Sequence, residues 1–269
     1  MEWWILGPRA LTGLENMAVD LHLADLLSQG EILPTLRLYT WEPWAISLGC
    51  HQRADSIDMD CCIADGIDVV RRPTGGRAVF HAEELTYSVV MRTERRTILE
   101  VYNDVSRSLA RGLRFLGVPA ELVSVQEDFR GAYRRASSVM CFSSSALHEV
   151  QVGGKKLVGS AQRRFEMPDG NTSQVILQHG SILIGSAHRR LPDYVRTGDE
   201  QRSRMRTEIE SKSTEIETEL GRSVTIPEVA DAVRRGFEDE WGIRFSVPEQ
   251  CDELVERLAG VDDKMLIHA

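Results

Sequence analysis

A mixed fold of helices and strands, α/β or α+β, is what this sequence predicts, from three observations. Capping boxes at Thr12-Gly-Leu-Glu15, Thr97-Ile-Leu-Glu100 and Thr225-Ile-Pro-Glu228 each announce a helix. Between them lie short runs of β-branched and aromatic residues bounded by Gly and Pro, as strands require. The 269 residues exceed one ordinary domain and fall short of two large ones, so one sizeable unit with at most a small appendage is expected.

Composition narrows the function classes. With 42% hydrophobic and 27% charged residues the chain is globular, neither disordered nor collagen-like. Forty-one carboxylates against 32 Lys and Arg give a net charge of −9, which argues against tight binding to a phosphate backbone and so against a nucleic-acid partner. The longest apolar stretches, such as Leu85 to Met91, fall short of the roughly 20 residues of a membrane span. The N-terminal Met1-Glu2-Trp3-Trp4 lacks the basic region of a signal peptide. A cytoplasmic location with no membrane partner follows as the expectation. Five cysteines (Cys50, Cys61, Cys62, Cys141, Cys251), an odd number without an export signal, are expected to be reduced.

Taken in order, the first element is a core helix after Thr12, with Leu14, Met17, Ala18, Leu21 and Leu27 as its apolar stripe. Leu36 to Tyr39 and Ala45 to Leu48 read as strands about a turn rich in Trp. Ile67 to Arg71, Ala78 to His81 and Thr86 to Met91 read as strands at the centre of a sheet. The helix after Thr97 carries Ile98, Val101, Val105, Leu109, Leu113 and Leu116, and stops at Gly117 with Pro119 beyond. His148 to Val152 and Lys155 to Ala161 flank Gly153-Gly154, a hairpin turn with positive φ at both positions, and Ile176 to Ile184 is one more strand. Residues 198 to 222 are a mixed-sign charged run, suited to a solvated helix or a connection. The final helices, beginning with Val229, Val233 and Phe237, are expected to pack back on the sheet.

Three motifs could carry chemistry. In Arg71-Arg-Pro-Thr-Gly-Gly-Arg-Ala-Val-Phe-His81 two glycines let backbone approach a ligand, and arginines offer charge to a carboxylate or phosphate. The same stretch also reads as a plain hairpin turn, and it is neither a Walker loop nor a dinucleotide fingerprint. In Gly153-Gly-Lys-Lys-Leu-Val-Gly-Ser-Ala161 the returning strand carries lysine and then small residues. Lys156 lies opposite Gln151, and Lys155 points to the other face, so one lysine at most faces a pocket. Cys141 sits in a polar, small-residue loop before that hairpin, and a cationic neighbour would raise its thiolate fraction. Cys61, Cys62 and Cys251 read instead as small buried hydrophobes. Metal binding is not expected, since adjacent Cys61-Cys62 is no knuckle and the seven histidines show no H-E-x-x-H pairing. Cys50-His51 is disfavoured as a dyad because strand neighbours face opposite ways.

Four stretches in order resemble signatures of the biotin/lipoate protein ligase family: Asn16-Met-Ala-Val-Asp20, Ser47-Leu-Gly49 with Gln52, Arg71 to Val79 with His81, and Lys156-Leu-Val-Gly-Ser-Ala161. The resemblance implies an α+β catalytic domain of the class II aminoacyl-tRNA synthetase/biotin-ligase type, a mixed β-sheet with packed helices. It spans residues 1–269 as one domain, with a core of about 30–245 and C-terminal helices 199–269 packed on it. Where ATP-dependent lipoate ligases look like Arg-Asn-Asp, this chain has Met140-Cys141-Phe142, similar to cysteine-dependent octanoyltransferases. The resemblance then implies Cys141 as acyl-thioester nucleophile and Lys156 as its partner. Arg72, Gly75, Gly76, Arg77, Ala78, His81, Gly159, Ser160 and Ala161 would bind substrate. The implied donor is octanoyl-acyl carrier protein, and the implied acceptors are apo lipoyl domains such as glycine cleavage H protein or 2-oxoacid dehydrogenase E2. No cofactor is called for, because thioester exchange followed by amide formation runs downhill without ATP. An octanoyl relay amidotransferase, an ATP-dependent lipoate ligase and a non-catalytic acyl-chain binder are the alternatives.

Overall fold

The computed structural model describes residues 1–93, 96–123, 149–166 and 174–260. It opens on a strand, β1 (Glu2–Leu11), where the sequence reading began with a helix. The reason is local. Gly7-Pro8 interrupts the strand, the register with its neighbour shifts between Leu6 and Arg9, and no clean alternation is left to read. The helix α1 (Gly13–Gln29) then starts as its capping box requires. The Thr12 hydroxyl accepts the Glu15 N–H, the Glu15 carboxylate accepts the Thr12 N–H, and Gly30 closes the helix at φ 79°.

The strands β2 (Thr35–Trp41), β6 (Glu84–Arg92), β7 (Glu121–Val123), β8 (Glu149–Val152), β9 (Lys155–Glu166), β10 (Gln174–Leu183) and β11 (Arg244–Ser246) join β1 in one mixed sheet. Among the described residues its order is β11-β1-β2-β6-β10-β9-β8-β7, parallel about β1 and antiparallel from β2 onward. The strands β3 (Ala45–Leu48), β4 (Asp68–Arg71) and β5 (Val79–His81) form a separate three-stranded sheet ordered β4-β3-β5. This corrects the expected grouping. Of the three strands assigned to a sheet centre, only β6 is there, because β4 and β5 both pair with β3.

One face of the large sheet is covered by α3 (Ile98–Phe115) and α6 (Ile226–Trp241), which bury Val101, Val105, Leu109 and Leu113 against Val229, Val233 and Phe237. Ile98, expected on that stripe, is exposed, since it stands at the first turn beside its cap. The other face is covered by α1 and α7 (Cys251–Leu258), meeting at Val19, Leu23, Leu27, Val255 and Leu258. The small sheet has its own core with the 3₁₀ segment Ala187–Tyr194 and α4 (Asp199–Lys212), whose charged sequence buries only Met205 and Ile209. The charged run is thus a solvated helix, followed by the short α5 (Ile216–Leu220). On the one-turn α2 (Met59–Ala64), Cys62 faces this second core and Cys61 is exposed, contrary to the buried reading. Adjacent helical residues lie about 100° apart, and on this surface helix only Cys62 reaches the core. No helix among the described residues is long and apolar enough to cross a membrane.

Candidate active site

A cavity of about 50 Å³ lies where the small sheet meets the face of the large sheet covered by α1. Its walls come from α1 (Met17), β2 (Tyr39, Trp41), the Arg72–Gly76 turn, and the facing stretches Gly159–Ala161 of β9 and His179–Ser181 of β10. Of the residues singled out in the sequence, Arg72, Gly76, His81, Gly159, Ser160 and Ala161 line it. Gly75, Arg77 and Ala78 are not in its walls. Ala78 is fully buried in the core of the small sheet, with Ile46 and Phe80. Cys141 lies outside the described residues.

Two buried hydrogen-bonded chains frame the cavity; Asp20, Ser47, Arg72, Thr74 and His81 stand in stretches the sequence singled out, whereas Glu84 and His179 carried no local signal. In the first, Arg72 Nη1 donates to Ser47 Oγ at 3.0 Å, and Ser47 Oγ lies 2.7 Å from His81 Nε2. His81 Nδ1 is 2.7 Å from Glu84, which also accepts the Thr86 hydroxyl, and Thr86 in turn accepts the Trp41 indole N–H. Trp41 stacks on the His81 ring at 4.0 Å and 15°. The second chain runs from Thr74 Oγ1 to His179 Nε2 at 2.7 Å and from His179 Nδ1 to Asp20 at 3.0 Å. Asp20 also accepts from Arg37, Tyr39 and Ser88.

Burial holds the His179 pKa below its usual value, so its ring is neutral, donating to Asp20 and accepting from Thr74. Burial alone would raise Asp20, but the His179 hydrogen bond and the Arg37 guanidinium outweigh it and keep the carboxyl below its ordinary range. Both chains therefore present fixed, hydrogen-bonded polar groups to the cavity, which suits an acyl chain with a polar end.

Arg72 turns donors to the backbone around it in this arrangement. Its Nε and Nη2 donate to the Gly75 carbonyl, Nη2 to the Arg77 carbonyl, and Nη1 to the Ser47 carbonyl. The guanidinium thus shapes the glycine turn from inside. Arg71 braces the neighbouring loop through the carbonyls of Gly49 and Gln52. Gly76 takes φ 102°, and a Cβ at Gly49 would lie 2.1 Å from the Gly76 oxygen, so the two loops touch backbone to backbone.

The lysine hairpin turns through Gly153 and Gly154 at φ 54° and 77°, pairing Val152 with Lys155 and Gln151 with Lys156. Then the register slips, and Val150 meets Val158. That bulge decides which way things face. Val150, Val152 and Val158 belong to the core under α3, so Lys156, opposite Gln151, is on the other face, together with Glu149. After the extra residue Leu157, Gly159 and Ala161 come onto that same face, opposite Ser181 and His179. Lys155 is exposed; Lys156 is 5% exposed and ion-paired with Glu149, itself 2% exposed. The Lys156 carbonyl accepts the Thr214 N–H just beyond α4, which ties the charged helix to the strand.

Among the described residues no cluster of three or more His, Cys, Asp or Glu is placed to hold a metal. A larger open groove of about 770 Å³, around Trp3, Arg96 and Trp241, contains none of the candidate site residues.

The sequence profile of the lipoyl protein ligase A/B catalytic domain matches residues 12–238. The chain is 39% identical over 249 residues to an octanoyltransferase LipM of Exiguobacterium sp. (strain ATCC BAA-1283 / AT1b), covering 90% of this chain and 88% of that protein. It is 40% identical over 266 residues to the octanoyltransferase LipM of Symbiobacterium thermophilum, covering 96% and 92%. In structure it is similar to a lipoate-protein ligase A bound with ATP (TM-score 0.73, 22% identity, 96% and 94% covered). It is likewise similar to a bipartite lipoate protein ligase from Thermoplasma acidophilum (TM-score 0.70, 23% identity, 96% and 92% covered). At these identities the structural likeness speaks to the fold alone, an α+β mixed sheet with packed helices.

Proposed function

Because the chain belongs to the family of the lipoyl protein ligase A/B catalytic domain and is a transferase, we propose that it moves an octanoyl group from octanoyl-acyl carrier protein to the lysine of an apo lipoyl domain. The transfer passes through an acyl-thioester on Cys141, in the lipoate biosynthesis of the cytoplasm. The observation that carries this reading is 38 to 40% identity to octanoyltransferases over nine-tenths or more of the chain. The buried Lys156, on the face that also bears Gly159 and Ala161, supports it.

The chemistry divides into two steps, which lets two bulky carrier proteins visit in turn. The Cys141 thiolate attacks the donor thioester carbonyl, and the carrier thiol leaves. The acceptor lysine amine then attacks the new thioester, the amide forms and the thiol of Cys141 is restored. Lys156, as an ammonium, stabilises both the thiolate and the oxyanion formed at the carbonyl. The acyl chain occupies the cavity beside Trp41 and Met17. At about 50 Å³ that cavity is well below the ~300 Å³ at which ligand pockets begin, and Met17, with three rotatable bonds, is the wall most able to yield.

Intact mass spectrometry after mixing with octanoyl carrier protein in nucleotide-free, chelator-containing buffer tests the reading. The expected result is one octanoyl group that hydroxylamine removes, absent from Cys141→Ser, with onward transfer to an apo lipoyl domain. A full-strength adduct in Cys141→Ser would overturn the nucleophile assignment. Product that forms only with ATP and free acid would establish a ligase instead.

A further inference from the structure

We propose that Glu149 is a positioning residue that holds Lys156 as an ammonium and so prevents the enzyme from acylating its own lysine. The proposal rests on the acyl-transfer reading above and adds a selectivity that such a site needs. An amine next to an activated acyl group is itself an acceptor. Were Lys156 neutral, its Nζ lone pair would attack the thioester carbonyl. The C–N bond would form, the C–S bond would break, and the thiol would leave with the amine's proton. The product is an amide that does not turn over, and the site would be blocked.

The local structure opposes this at each point. Lys156 is 5% exposed, and burial without a counter-charge favours the neutral, nucleophilic amine. Glu149, 2% exposed, forms an ion pair with it across the β8–β9 hairpin and favours the charged form, which has no lone pair to offer. Lys156 pairs with Gln151, two residues along β8 from Glu149, so both side chains stand on one face, and the Thr214 N–H, 3.0 Å from the Lys156 carbonyl, anchors the lysine's backbone. A lysine needed only for its positive charge is thus kept charged by a buried neighbour.

Glu149→Gln keeps the shape and removes the charge. Loss of an opposite charge shifts a pKa by about 1 to 3, so the neutral fraction of Lys156 should rise about tenfold or more. Wild type and variant are incubated with octanoyl carrier protein, treated with hydroxylamine and weighed intact, with folding followed by circular dichroism. The expected result is an octanoyl mass that resists hydroxylamine in Glu149→Gln, about tenfold above wild type, mapping to Lys156 and absent from Glu149→Gln/Lys156→Arg. Glu149→Asp, which withdraws the carboxylate by one methylene, should give an intermediate amount and serves if the Gln variant does not fold. A purely structural role would lower turnover without any such amide. Normal labile loading with no stable adduct in either folded variant overturns the proposal and leaves the acyl-transfer reading standing, as does a stable adduct that survives Lys156→Arg. No labile loading in wild type overturns both.

Discussion

Asp20 is fully buried, yet four side chains converge on its carboxylate: Arg37, Ser88, Tyr39 and His179. Its charge is matched by Arg37, which is 2% exposed and has Asp20 as its ion-pair partner. Removing one member of a buried pair costs about 3–5 kcal/mol, because the other is left charged away from water. Asp20→Asn should lose stability in that range by urea unfolding, and a loss below about 1 kcal/mol would mean that the Asn16 contacts suffice to hold Arg37. Asp20 was visible in the sequence as part of Asn16-Met-Ala-Val-Asp20. Its partners were not, since His179 and Ser88 arrive from strands 159 and 68 residues away, and no local pattern reports so distant a meeting. Arg72 was visible as a charge beside glycines, and only the structure reveals that its donors turn inward to the turn's own carbonyls.

At the scale of elements, the glycine turn and its neighbouring loop are spaced by backbone alone. A methyl at Gly49 would sit 2.1 Å from the Gly76 oxygen, whereas one at Gly75 would meet nothing within 4 Å. Gly49→Ala should therefore cost about 1–3 kcal/mol, as overpacking does, and weaken octanoyl loading by displacing the cavity wall. Gly75→Ala should stay within about 0.5 kcal/mol. Thermal unfolding of the two variants side by side checks this, and equal losses would show that the turn relaxes freely. The three capping boxes and the Gly153-Gly154 hairpin were legible because each is a local pattern with a local physical cause. The bulge at Leu157 was not. Strict alternation from Lys156 would put Val158 and Ser160 on its face, and the packing of Val150 against Val158 in the core sets the shift.

For the molecule as a whole, the buried groups give a direction to its pH response. Burial lowers the pKa of both His179 and His188 from 6.5, so below about that pH the unfolded chain binds more protons than the folded one. Their contribution is present above 6.5 and is lost as pH falls through it; Asp20, held below 3.8, adds a second loss in stronger acid. The thermal midpoint should drop between about pH 7.5 and 5.5, and drop less in His179→Gln, because one of these protonation-linked histidines is gone. Equal drops would remove His179 from this account. The α+β class was legible at this scale, but the division into two sheets was not, since strand partners are chosen by long-range packing. The large sheet has a consequence in time as well as in space. The strand β1 pairs on one side with β2 and on the other with β11, where Glu2, Trp3 and Trp4 meet Arg244, Phe245 and Ser246. On the ribosome β2 emerges soon after β1, and β11 only after the strands β2 to β10 have been made. Until β11 follows, the nascent protein therefore carries an unzipped edge along β1, which is the kind of surface that chaperones shield and that neighbouring chains capture.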